Sequence, residues 1–239
     1  MLTYLLGVNL YSSELDLLSS KLREGEVAFT FLGFSGVIVR ISDNTFVFDV
    51  DNLIPPRIYD KLERIDFAFY THYHADHFHL ETAMKLYYDH TPVIIAEPRV
   101  YDELNAYIPS STLIKAPARG RIRVRDVVIG ILKGKHVCPT CIFALRKGNV
   151  RIFHGGDSGY VDLSKYKVEV AFVPTGHPSP TASPEDALKM VLDLRPKVVV
   201  AIHGRVEEMN QLKELVLSKE VGGEVIVPEQ YSVYKVRVL

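Results

Sequence analysis

Short runs of β-branched and aromatic residues alternate with amphipathic stretches along this chain, and the whole pattern occurs twice. An apolar face made by Leu15, Leu17, Leu18 and Leu22 predicts a short helix over residues 12–22. Residues 27–32, 36–41 and 45–50 then read as strands, with Ser42-Asp43-Asn44 supplying hairpin chemistry between the last two. Pro55-Pro56 opens a helix running through Leu62, and residues 65–70 form a buried strand. Helices over 81–88 and 98–106 flank a strand at 93–96. In the second half, strands are predicted at 122–124, 127–132, 141–146, 150–153 and 168–173, with Lys147-Gly148-Asn149 as a hairpin turn. Ser183-Pro184-Glu185-Asp186 is a helix start: a Ser N-cap, Pro in the first turn, and two acids at the positive end of the dipole. That helix ends before Pro196. A strand at 197–202, a helix at 206–217 and strands near 224–227 and 232–238 complete the chain.

Each half is therefore a set of strands followed by strand–helix units. Two such halves packed sheet against sheet, with helices outside, predict an α/β (α+β) fold: a four-layer αββα sandwich. Periodicity alone does not separate this from other α/β arrangements; the positions of the chemical motifs do. No low-complexity tract or long linker interrupts the pattern, so residues 1–239 read as one domain.

Composition narrows the partners. Hydrophobic residues make up 47% and charged residues 24%, which suits an ordinary globular core. A formal net charge of -1 disfavours general nucleic-acid binding. Arg119, Arg121, Arg123 and Arg125 alternate with Ile122 and Val124, the signature of a strand's solvent face. No run approaches the roughly 20 apolar residues of a membrane span. The first ten residues lack a signal peptide's cationic start and cleavage site. Two cysteines are too few for a disulfide framework, and these features together predict a cytoplasmic protein without membrane contact. Scarce glutamine, plentiful valine and absent tryptophan lean toward a thermophile.

The candidate chemistry begins at Thr71-His72-Tyr73-His74-Ala75-Asp76-His77, which leaves the buried strand at 65–70. In extended backbone His72 and His74 point to the same side and can hold one metal ion jointly. Asp76 and His77 follow where the chain turns and can face a second ion. Imidazoles with a carboxylate suit zinc, manganese or iron and argue against calcium. Further ligand-type residues stand at other strand exits: His136 in Gly134-Lys135-His136, Asp157 in His154-Gly155-Gly156-Asp157, and His203 in Ala201-Ile202-His203-Gly204. Each alone is an ordinary polar residue at a loop start; with the cluster they form a set.

This set, in this order, resembles the metallo-β-lactamase fold superfamily, and within it the compact branch that includes ascorbate-6-phosphate lactonase. The resemblance extends from Leu32-Gly33-Phe34-Ser35-Gly36 and Val47-Phe48-Asp49 through residues 71–77, 134–136, 153–159 and 174–188 to 198–203. It implies one metal held by His72, His74 and His136, a second held by Asp76, His77 and His203, and Asp157 bridging both. Asp49 matches an acid that supports the site from behind. The chain departs from the family at Phe78-His79-Leu80, where relatives often carry a glycine pair, and at His177, where they vary.

The resemblance implies a metal-dependent hydrolase with two divalent ions, zinc first and manganese or iron as alternatives. Two metals sharing Asp157 would share a water and lower its pKa from about 15.7 toward roughly 7 for attack on a carbonyl or phosphorus. Asp76 can orient that nucleophile, and His177 can touch substrate or protonate a leaving group. The bond is an ester, lactone, thioester, amide or phosphodiester in a small anionic substrate. The rivals are a nuclease or phosphodiesterase on RNA or DNA, a di-iron oxidoreductase, and a non-catalytic metal-binding or sensing protein. A homo-oligomer is compatible with the sequence. His154 is expected to hydrogen-bond internally, and His79 and His90 to lie at the surface or in packing. Cys138-Pro139-Thr140-Cys141 reads as a tight turn with free thiols, a metal or redox role being the lesser option.

Overall fold

A computed structural model describes residues 21–51, 54–178, 180–221 and 223–239. Most of the helix expected at 12–22 lies outside the described residues.

The first sheet contains β1 (Glu26–Gly33), β2 (Gly36–Ile41), β3 (Asn44–Phe48), β4 (Phe67–Tyr70), β5 (Val93–Ala96) and β6 (Leu113–Lys115). The second contains β7 (Gly120–Val124), β8 (Val127–Lys133), β9 (Cys141–Lys147), β10 (Val150–His154), β11 (Val170–Pro174), β12 (Val198–Ile202) and β13 (Glu224–Ile226). The last strand, β14 (Val233–Arg237), returns to the first sheet and pairs antiparallel with β1, giving the order β14-β1-β2-β3-β4-β5-β6. The second sheet runs β13-β12-β11-β10-β9-β8-β7.

Each sheet has an antiparallel part and a parallel part. β1 to β3 and β7 to β10 pair antiparallel with their sequence neighbours, whereas β3 to β6 and β10 to β13 are parallel. Parallel neighbours need crossovers. Helices α1 (Pro56–Tyr59), α2 (Leu80–His90) and α3 (Pro98–Leu104) lie in those of the first half, and α4 (Pro184–Leu194) and α5 (Val206–Ser218) in those of the second. This is the four-layer αββα sandwich.

Strands buried on both faces read as continuous apolar runs, and β4 shows how both faces are used. Phe67 and Phe69 enter the core between the sheets. Ala68 and Tyr70 belong instead to the outer core, with Ala83, Leu86, Val100 and Leu104 of α2 and α3. Aromatic contacts tie the sheets together: Phe29 meets Phe172 edge-on at 5.4 Å, and Phe69 tilts against Phe143 at 5.1 Å.

Boundaries follow the expected chemistry to within three residues. Ser183 Oγ accepts the Asp186 N–H at the start of α4, and Arg195 closes it in the left-handed conformation just before Pro196. α1 stops at Tyr59, three residues early, and β6 was not foreseen because a three-residue strand shows no period. β7 is an edge strand with its arginines exposed and Ile122 and Val124 half-buried, in keeping with the alternation of the sequence.

Candidate metal centre

The strand ends that matter gather at one rim of the sandwich, where β4, β8, β10 and β12 give way to loops. The exit of β4 is held from behind by Asp49, which follows β3. Its carboxylate accepts the Thr71 N–H and the Thr71 hydroxyl, both at 2.8 Å. Asp49 itself is buried with φ at +45°, a conformation that costs on the order of 1–3 kcal/mol outside glycine. From Thr71 the chain turns, the His77 and Phe78 N–H groups both donating to the His74 carbonyl at 2.9 Å. Phe78 anchors the turn on Tyr70, ring to ring at 5.3 Å.

The turn separates the cluster into two pairs. His72 Nε2 and His74 Nδ1 lie 3.0 Å apart, and His136 Nε2 joins them 3.3 Å from His74 Nδ1. His77 Nε2 and His203 Nε2 each lie 3.7 Å from Asp76 Oδ2. Between the groups sits Asp157, whose Oδ2 is 3.3 Å from His136, 3.6 Å from His72, 3.7 Å from His77 and 4.0 Å from His203. All seven residues singled out in the sequence as ligand types therefore converge.

Supporting contacts fix which nitrogen two of the imidazoles present. His77 Nδ1 lies 2.9 Å from Asp49 Oδ2, so Nε2 faces the centre. His136 Nδ1 donates to the Pro180 carbonyl at 2.8 Å, again leaving Nε2 inward. His203 sits at φ +45° with its N–H on the Phe34 carbonyl. Asp157 leaves β10 through Gly155-Gly156. Gly156 has φ +57°, and a Cβ there would stand 3.0 Å from Thr71 Cγ2. The glycine lets the Asp157 loop lie directly against the β4 exit.

The electrostatics suit a set of metal ligands. Burial, with the neighbouring imidazoles adding, pushes His72 and His77 well below the ordinary histidine range, so both are neutral with lone pairs available. Burial also lowers His136. Burial opposes ionisation of Asp76, but the adjacent His203 and His77 hold it below the usual carboxylate range. Burial raises Asp157 to about 7, against the pull of His203 and with the help of Asp49 and Asp76. Burial likewise lifts Asp49 to about 6, against the pull of His154 and Thr71.

Four buried atoms here have no hydrogen-bond partner: His77 Nε2, His203 Nδ1, His203 Nε2 and Asp157 Oδ1. Leaving such a group unpaired costs roughly 1–3 kcal/mol. Two of them, His77 Nε2 and His203 Nε2, belong to the converging ligand set, and a divalent ion would satisfy them. The donor set of nitrogen and carboxylate oxygen fits zinc, manganese or iron.

His177 is not part of this convergence. It follows β11 in a loop whose Thr175 and Gly176 N–H groups donate to the His203 carbonyl. Its Nδ1 lies 2.5 Å from Glu208 Oε1, and its N–H donates to Glu208 Oε2 at 2.9 Å. Glu208 also accepts the Arg205 N–H at the start of α5. Burial is the largest single influence and opposes its charge, yet these donors together hold the Glu208 carboxyl at about 2. A Cβ on Gly176 would run into the Glu208 carboxylate, so only glycine admits this contact.

Sequence reasoning missed Thr71, Glu208 and the Pro180 carbonyl, which act through hydrogen bonds that no spacing announces. His154 makes the internal hydrogen bond expected of it: buried, it reaches the Ser35 carbonyl through Nε2 at 2.8 Å and stacks on Phe48. Cys138 and Cys141 are free. Burial pushes their thiols up to about 11 and about 12, the opposite of a reactive redox pair.

Comparison with known proteins agrees with this geometry. The family model described as beta-lactamase superfamily domain matches residues 46–204. A UPF0173 protein of Pyrococcus abyssi is 30% identical over 159 residues, covering 60% of this chain and 69% of the relative. Igni18, a metallo hydrolase from the archaeon Ignicoccus hospitalis, superposes with a TM-score of 0.76 at 21% identity, over 89% of this chain and 99% of its own. CmlA, a diiron beta-hydroxylase from Streptomyces venezuelae, gives 0.69 at 15% identity, over 91% of this chain and 55% of its own. At those identities the two structures speak for the fold, while the family model covers more than half of the chain. The chain belongs to the beta-lactamase superfamily.

Proposed function

We propose that this protein is a metal-dependent hydrolase with a dinuclear centre. The observation that carries the reading is the position of Asp157 Oδ2, within 3.3–4.0 Å of nitrogens from four histidines at three different strand exits. His72, His74 and His136 would hold one divalent ion, Asp76, His77 and His203 the other, and Asp157 would bridge them. Zinc is the first choice. Ions held there would make a water nucleophilic near neutral pH and polarise the oxygen of the attacked bond.

The chain's own residues do the rest. Asp49 and the Pro180 carbonyl orient His77 and His136. Asp76, with 28% of its side chain exposed, faces the open side and can orient the attacking water. Glu208 fixes His177 Nδ1 as a donor, which leaves Nε2 free to exchange a proton with a leaving group. A cavity of about 580 Å³ beside His136 is lined by Lys133, Lys135 and Glu97, whose carboxyl burial raises, and its volume suits a small molecule. Its two lysines favour an anionic one, which supports a small ester, lactone, thioester or phosphodiester as substrate and the compact lactonase-like branch as kin. Among the described residues no helix is long and apolar enough to cross a membrane. Two free thiols accord with a cytoplasmic setting.

The test is metal analysis of the purified protein together with a panel of lactone, ester, thioester and phosphodiester substrates, set beside single-stranded RNA. Two divalent ions per chain and chelator-sensitive turnover of a small substrate are expected. Undiminished turnover by the fully stripped protein would overturn the metal mechanism, and preference for RNA would overturn the substrate class.

A further inference from the structure

The two cysteines of Cys138-Pro139-Thr140-Cys141 have different surroundings. Cys141 begins β9, is buried, and belongs to the core between the sheets. Cys138 lies outside that core, in the loop between β8 and β9. Its sulfur is within 4.8 Å of a ring nitrogen from each of His72, His74 and His136, which are themselves mutually within that distance.

The loop is built to hold this arrangement. The Gly134 N–H donates to the Thr140 carbonyl at 3.0 Å and closes it at the base. The Lys135 N–H donates to Ser158 Oγ at 2.8 Å, and the Gly159 N–H donates back to the Lys135 carbonyl, tying the loop to the segment that carries Asp157. A Cβ on Gly134 would meet Thr140 Cγ2 at 2.6 Å and Ser158 Oγ at 2.9 Å, so only glycine lets the loop lie this close. Within it Val137 is 72% exposed, whereas the His136 side chain is 2% exposed. The chain therefore sends Val137 outward and turns His136 and Cys138 to the same inner side.

The distances suit a tetrahedral ion. With Zn–N bonds of about 2.05 Å, adjacent nitrogens of a tetrahedron stand about 3.3 Å apart. The observed edges are 3.0 Å for His72–His74 and 3.3 Å for His74–His136. A Zn–S bond of about 2.3 Å puts sulfur about 3.6 Å from each nitrogen. The sulfur, within 4.8 Å of each nitrogen, stands at most about 1.2 Å beyond that separation.

We propose that Cys138 supplies a thiolate to the ion held by His72, His74 and His136, so that this position binds through three imidazole nitrogens and one sulfur. This rests on the dinuclear reading above and adds to it an asymmetry between the two positions. The thiol gives up its proton to solvent as the metal–sulfur bond forms. Together with the Asp157 oxygen that would bridge the two ions, such a donor set fills the shell of this position, and its thiolate selects zinc over manganese. The position between Asp76, His77 and His203 then keeps the open coordination that a water and a substrate need.

Cobalt(II) titration of the metal-free protein tests this. The first equivalent is expected to bring a near-ultraviolet thiolate-to-cobalt charge-transfer band, present in wild type and in Cys141→Ser and lost in Cys138→Ser. X-ray absorption of the zinc-loaded wild type, which needs no variant, should show a sulfur neighbour at about 2.3 Å. Cobalt uptake without the band, a band that survives in Cys138→Ser, or a zinc shell without sulfur overturns the inference and leaves the hydrolase reading intact. A protein that takes up no cobalt overturns both.

Discussion

The two halves of the chain contribute to the centre in different ways. The first half supplies His72, His74, Asp76 and His77 from one turn after β4, all within six residues. The second supplies His136, Asp157 and His203 from three separate strand exits. In the first half, geometry is set by local backbone: alternation for His72 and His74, a His74-centred turn for the other two. In the second, it is set by the sheet order β12-β11-β10-β9-β8, which brings three distant strand ends to one rim. A local cluster makes a metal site possible, and a sheet completes it.

Asp157→Ala breaks this comparison most severely, because the residue reaches both groups of histidines. Loss of at least about 10³-fold in turnover and of one or both ions is expected, consistent with several kcal/mol of lost stabilisation. Full metal content with full turnover in that variant would remove Asp157 from the centre.

His177→Gln should cost about 10²-fold in kcat on substrates with poor leaving groups while metal content stays at the wild-type level. Glu208→Gln should follow it with a smaller loss in kcat. A fall in metal content in either variant would place the His177 loop among the supports of His203 instead.

Asp49→Asn sharpens the contrast between the two ion positions. The amide cannot hold His77 Nδ1–H as a carboxylate does, so affinity of the position containing His77 should drop by about 10–100-fold. Competition with a chelating dye would read it. An equal drop at the position containing His72, His74 and His136 would contradict the separate wiring of the two.

The smallest effect is in the metal-free protein. Asp157 titrates near 7 in the folded chain, above the roughly 3.9 of an unfolded aspartate, so the folded state binds the extra proton between those values. Its contribution is fully present below the unfolded value and is lost as pH rises through about 7. Denaturant melts should show metal-free wild type losing stability relative to Asp157→Asn between about pH 4 and 7, with the loss levelling off above 7. Constant relative stability across that range would show that burial does not raise this carboxyl.

Much of the fold was legible because its strands are buried on both faces and so appear as apolar runs bounded by turn residues. Ser183-Pro184 and Pro196 marked the limits of α4 through chemistry that is local. β6 was not legible, being too short for a period, and α1 ended early at Tyr59. Seven site residues could be picked out as ligand types at strand exits. Their supports could not: Thr71 and the Pro180 carbonyl are ordinary in sequence, and Glu208 looks like a helix N-terminal acid until Gly176 lets it reach His177.

By itself the sequence determined the local terms: which runs are strands, where helices are capped, and that His72 and His74 share a side. These follow from side-chain periodicity and backbone preference within a few residues. Only the tertiary structure decided that β14 crosses to the first sheet, that Asp157 stands between two sets of histidines, and that Cys138 and Cys141 face different surroundings. Those depend on which strands become neighbours, a choice made by the burial of both sheets against each other and invisible to any short stretch of chain.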